Sequence, residues 1–143
     1  EVAERMVASP GSKKYSFFTV VCNSALHIHL QGDIGPGSFF PRPEVISTIV
    51  VCTSSPLHST IKNRPFFYEL TAKLFSVRRK TIKNALSLVP TIQSREVTKI
   101  EDILGKLEID PKARVESISL QRLITLSNHL SNREHDAPIG ETP

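Results

Sequence analysis

Two short runs of β-branched residues joined by a long loop constrain this chain more than any other feature. Residues 25–31 (ALHIHLQ) alternate with period two, which puts Leu26, Ile28 and Leu30 on one face of a strand and His27 and His29 on the other. Residues 45–52 (VISTIVVC) read as a second strand. The segment between them, residues 32–43 (GDIGPGSFFPRP), is too dense in Gly and Pro to be anything but a loop. Two strands bury too little surface to stand alone, so this portion needs a larger sheet to lean on.

Around the strands the pattern is helical. Residues 1–8 have helical spacing until Ser9-Pro10-Gly11-Ser12 breaks it. Residues 15–22 (YSFFTVVC) fit strand or buried helix by periodicity, and propensity favours strand. A polar linker at residues 53–59 marks a change of character. From Pro65, a residue suited to a first helical turn, Phe66, Leu70, Leu74, Val77, Ile82, Ala85 and Leu86 form one apolar stripe up to Pro90. Residues 97–107 make an amphipathic helix with Ile100, Ile103, Leu104 and Leu107 on one side. Ser119 is placed to cap a last helix running to Leu130. The reading is an α/β portion, residues 1–58, followed by an all-α bundle, residues 59–130, and a tail, 131–143, without the hydrophobic pattern of an ordered element. A chain that opens in a helical pattern without Met or a cap reads as a fragment.

Composition excludes several classes. The 143 residues are 39% hydrophobic and 22% charged, and no apolar stretch is long enough to span a bilayer. Residues 1–14 lack the basic-then-apolar layout of a secretory signal. Cys22 and Cys52 sit in apolar runs, where buried reduced thiols are expected, and no CxxC or HxxxH spacing points to a metal. His27 and His29 have no third ligand nearby in sequence, so ordinary strand histidines are expected.

Two segments carry candidate chemistry. In Phe39-Phe40-Pro41-Arg42-Pro43 the prolines stiffen the loop, so an aromatic ring presented there is able to stack on a planar ligand. Phenylalanines tucked under neighbouring structure are the alternative. The second segment lies in a window, residues 62–84, with seven cations against one acid, Glu69, in a chain of net charge +4. On a continuous helix Arg79 and Lys83 would lie four apart on one face, as would Lys80 and Asn84, within reach of successive phosphates. Such a face is either a polyanion site or merely solvated.

Four spaced motifs give the chain a family likeness. EVAERMVASPGSKKYSFFTV at residues 1–20 is similar to Q-x-E-V-A-x-R-x-x-A-x-P-G-S-K-x-Y-G-x-L-S-V, and residues 39–47 (FFPRPEVIS) to F-x-P-x-P-K-V-x-S. Residues 75–86 (FSVRRKTIKNAL) follow F-S-x-R-R-K-T-L-x-N-x-L, and residues 107–119 follow L-x-I-D-P-x-A-R-x-E-x-L-S. In this the chain resembles the ribosomal RNA adenine dimethyltransferases, C-terminal half. The resemblance implies that residues 15–23 are helical after all. It also makes the strands the antiparallel edge of a Rossmann-like class I methyltransferase sheet.

The family's activity implies S-adenosyl-L-methionine as cofactor. The resemblance also implies, as substrate, two adjacent adenosines near the 3′ end of small-subunit rRNA, in a pre-30S particle, and a cytoplasmic enzyme that is monomeric at full length. By position, Phe39 matches the residue that stacks on the target base, supported by Phe40, Pro41 and Pro43, and Arg42, Arg78, Arg79, Lys80 and Lys83 would contact RNA. Ser16 stands where the family has Gly, Glu44 where it has Lys, and Ile46 where it has Asp or Asn. The family's cofactor loop, its ribose-binding acid and its Asn-Leu-Pro-Tyr motif have no counterpart among these residues. This chain alone is therefore expected to be inactive, with no catalytic or cofactor-binding residue of its own. A noncatalytic RNA-binding or ribosome-assembly module is the rival reading.

Overall fold

The computed structural model describes residues 1–92 and 97–131. Helix α1 (Val2–Met6) is short, and its end is tied to helix α2 (Phe17–Ala25) by side chains. Thr19 Oγ1 donates to the Arg5 carbonyl at 2.7 Å and Asn23 Nδ2 to the Met6 carbonyl at 2.6 Å, satisfying groups a helix end leaves open. The segment for which propensity favoured strand is thus a helix, starting where Ser16 N–H donates to Thr19 Oγ1 at 3.1 Å. The Ser that replaces the family's Gly is the N-cap residue.

Strand β1 (Leu26–Ile34) pairs antiparallel with β2 (Ser47–Ser54), from Leu26 opposite Ser54 to Ile34 opposite Ser47. The expected alternation holds: Leu26, Ile28 and Leu30 are half-buried, while His27 and His29 are exposed. A register shift between Leu30 and Gly32 carries β1 beyond its expected end, so residues 32–34 belong to the strand rather than the loop. There Thr48 Oγ1 donates to Asp33 at 2.7 Å. The two thiols are not buried as expected: Cys22 is half-buried and Cys52 exposed, because the described residues leave much of β2 uncovered, including Ile49 and Val51. Burial, with the nearby Cys52, raises the Cys22 thiol above its ordinary pKa.

A 3₁₀ turn at Pro56–Thr60 leads to helix α3 (Arg64–Ser76), whose N-cap Asn63 accepts from Phe66 N–H at 3.1 Å. Helices α4 (Ile82–Leu86), α5 (Val97–Lys106) and α6 (Leu120–Ser131) follow. The single helix expected from Pro65 to Leu86 is in fact two. Ser76 Oγ bonds back to the Lys73 carbonyl, and Thr81, in extended conformation, caps α4 by accepting from Asn84 N–H. A hydroxyl able to cap a new helix competes with continuing the old one. Ser119 caps α6 as expected, accepting from Arg122 N–H at 3.4 Å. The tail expectation lies, from residue 132 onward, outside the described residues.

One core joins all this. Tyr15 and Val20 pack in the same cluster as Phe67, Leu70, Leu74, Ile82, Leu86, Ile100, Leu104, Leu123 and Leu126. Asn128 pins the connection before α3 to α6, accepting from Lys62 N–H at 2.9 Å and donating to the Thr60 carbonyl at 2.8 Å.

Candidate nucleic-acid interface

The break between α3 and α4 turns the basic segment into a tight turn. Val77 ends α3, and Lys80 N–H donates to the Val77 carbonyl at 2.8 Å. The turn is then moored to residues 111–116, since Thr81 pairs with Arg114 as an isolated β-bridge and Ile82 N–H donates to the Ala113 carbonyl at 2.6 Å. Ser76, Val77, Arg78, Arg79 and Lys80 line one open cavity of about 320 Å³. The helical alignment of Arg79 with Lys83 does not exist: Arg79 lies in the turn and Lys83 in α4.

The four cations of the segment divide into two kinds. Arg78 directs Nε and Nη2 at Glu116 Oε2, at 3.0 and 2.6 Å, and Lys83 pairs with Glu101. Arg79 and Lys80 are exposed, and among the described residues neither pairs with an acid. The partners were invisible in the sequence, because Glu116 lies 38 residues from Arg78 and Glu101 lies 18 from Lys83. A trace of the first was present: Arg114 and Glu116 belong to the same quoted motif as the segment that moors the turn.

The other expected element, the Phe39 loop, follows β1. Pro36–Ser38 forms a 3₁₀ turn, and Phe39 N–H donates to the Pro36 carbonyl at 3.3 Å, fixing the backbone just before the ring. Phe39 is 41% exposed and Phe40 is fully exposed, so Phe40 is not tucked beneath the loop. Pro41 and Arg42 are exposed and Pro43 half-buried. Val45 and Ile46, later in the same loop, are exposed too. Loop and basic turn therefore sit on different elements, and the cavity lined by Arg78, Arg79 and Lys80 includes neither Phe39 nor Arg42.

The segment carrying Glu116 is also bonded to residues 11–15. Its carbonyl accepts Gly11 N–H at 2.7 Å, at a glycine whose φ of +86° disfavours any side chain. The Tyr15 hydroxyl donates to the Ile118 carbonyl at 2.8 Å while its ring meets Phe75 edge-on at 5.9 Å. Burial pushes the Tyr15 phenol up to about 12.

Elsewhere among the described residues, a cavity of about 340 Å³ is lined by Glu1, Glu4, Asp33 and Thr48 among others. The cavity of about 380 Å³ between α2 and α6, lined by Tyr15, Val20, Asn23, Leu57 and Leu120 among others, has no carboxylate to hold a ribose. The same residues gather no group of three or more potential metal ligands. No helix among them is long and apolar enough to cross a membrane.

The fold is similar to that in a crystal structure of a dimethyladenosine transferase from Plasmodium falciparum, with a TM-score of 0.74 and 19% identity. The match covers 92% of this chain and 55% of that one. Sequence narrows the class. The family model for ribosomal RNA adenine dimethylase matches residues 1–131, and the chain belongs to that family. The ribosomal RNA small subunit methyltransferase A of Lactobacillus helveticus is 34% identical over 131 residues, covering 91% of this chain and 43% of the relative. Its namesake from Anaplasma marginale is 31% identical over 140 residues, 98% of this chain and 49% of that protein. The chain thus spans somewhat under half the length of these curated relatives.

Proposed function

We propose that this chain is the C-terminal half of an S-adenosylmethionine-dependent rRNA adenine dimethyltransferase that modifies two adjacent adenosines near the 3′ end of small-subunit rRNA. Residues 1–58 complete the edge of the methyltransferase sheet, and residues 59–130 form a helical rRNA-binding domain. The upstream half carries the cofactor and the groups that hold the target amine, because the family's cofactor motifs have no counterpart in residues 1–143. The pre-30S particle in the cytoplasm is the partner this reading requires.

The observation that carries the RNA reading is the basic turn, where Arg79 and Lys80 are exposed and, among the described residues, pair with no acid, while Arg78 and Lys83 are held by Glu116 and Glu101. Unpaired cations at a moored turn release counterions when they meet a phosphate backbone, and such contacts position RNA without reading its bases. Base selection falls to the Phe39 loop. An adenine must leave its stack to be modified, and an exposed ring on a fixed backbone is suited to hold the extruded base. The exocyclic amine needs alignment rather than deprotonation by this chain, so Phe39 acts by orientation.

The test uses the intact protein, this chain with its upstream half, incubated with labelled S-adenosylmethionine and small-subunit particles. Label should enter two neighbouring adenosines, and the Phe39→Ala variant should lose most of it. Binding to particles without any methyl transfer would favour the noncatalytic assembly module.

A further inference from the structure

Resting on the rRNA reading above, we propose that Glu116 is a positioning residue, locking the basic turn to residues 11–15 so that its cations meet the RNA at a set distance from the Phe39 loop. The geometry is a double attachment. Through its side chain Glu116 holds both Nε and Nη2 of Arg78, and through its carbonyl it holds Gly11. Two residues on, the Ile118 carbonyl takes the buried Tyr15 hydroxyl, and two residues before, Arg114 bridges to Thr81. Residues 113–118 therefore grip both ends of the basic turn on one side and residues 11–15 on the other.

From residues 11–15 the path to the loop is stiff. Ser16 caps α2, α2 passes directly into β1, and β1 ends at the turn that presents Phe39. Displacing Arg78 would leave Arg79 and Lys80 on a turn still closed by Val77 and Thr81 but free to swing against that path. The Arg78–Glu116 pair is partly exposed, at 42% and 28%, which argues against stability as its chief use, since solvent-screened pairs add little. An acid beside two RNA-facing cations also works against affinity. Its presence there is better explained by placement than by grip.

This gives variants of opposite sign. In the intact protein, Glu116→Gln should lower turnover at saturating rRNA by about tenfold, since misplacement by an ångström costs up to about 10²-fold. Its affinity for rRNA should be equal or tighter. Arg78→Gln should lower turnover similarly, and the double variant should be no worse than either single one. Amide hydrogen exchange of residues 77–82 should quicken in Glu116→Gln while the thermal midpoint holds. Unchanged turnover, unchanged exchange in the turn, or affinity and turnover falling together with the thermal midpoint would each overturn the proposal. Additive losses would overturn it too, by showing Arg78 acting on RNA directly. If wild-type protein methylates nothing, the rRNA reading fails, and the exchange measurement still decides by itself whether Glu116 holds the turn.

Discussion

Replacing Arg79 and Lys80 together by Gln removes the two exposed cations of the basic turn while leaving the Arg78–Glu116 and Lys83–Glu101 pairs intact. Each phosphate contact contributes about 0.7 to the slope of log affinity against log salt on single-stranded RNA and about 0.9 on a duplex, so losing two lowers the slope by about 1.4–1.8. Between about 50 and 200 mM salt, that difference shrinks the wild-type advantage by about tenfold. Lys83→Gln should leave the slope almost unchanged, because Glu101 already neutralises Lys83 and no counterion is released from it. Filter binding of small-subunit rRNA by the intact protein across a salt series reads both variants. The adenosines chosen should stay the same, since phosphate contacts carry no sequence information. If Lys83→Gln shifts the slope as much as the double variant does, the division into paired and free cations has no bearing on RNA. If neither shifts it, the turn is not the RNA grip.

Three further outcomes follow from the structure. Tyr15→Phe loses the bond to the Ile118 carbonyl and should cost about 0.5–1.5 kcal/mol in urea denaturation at neutral pH. Because the folded phenol is raised to about 12 from 10.0, the native state holds its proton longer, so the Tyr15 contribution is complete below pH 10 and drains away as pH rises toward 12; Tyr15→Phe should flatten that alkaline decline, and identical pH profiles would contradict it. Phe39→Ala should lower methylation far more than rRNA affinity, as one stacked base is worth about 1–3 kcal/mol, and Phe39→Tyr should keep most activity; equal losses in both would make the ring structural. The 143-residue chain by itself, with Ile49 and Val51 exposed on an uncovered strand, should associate in light scattering, and a lasting monomer would count against an unpaired sheet edge.

Much of the local structure was legible from the sequence because its signals were local. The alternation of Leu26, Ile28 and Leu30 with the two histidines, the apolar side of α5 and the Ser119 cap each depend on a few adjacent residues. The break after Ser76 was hidden because Val77 and Ile82 stay in phase with the α3 stripe, and what interrupts it is a cap plus a β-bridge to Arg114, far away in sequence. Residues 15–22 misled by propensity, since β-branched and aromatic residues suit a strand unless Ser16 and Thr19 start a helix. Cys52 lies in an apolar run but on a strand the described residues leave open, so hydrophobicity overstated its burial. At the candidate site, charge density singled out the segment that forms the turn between α3 and α4. It was blind to Glu116 and Glu101, which decide which of the cations remain free.

The most direct test maps methyl groups on small-subunit rRNA by mass spectrometry after incubation with S-adenosylmethionine and either the intact protein or this chain alone. The account predicts dimethyladenosine at two neighbouring positions near the 3′ end with the intact protein and none with the chain alone. Unmodified adenosines with the intact protein, or methyl transfer by the 143 residues alone, would contradict it.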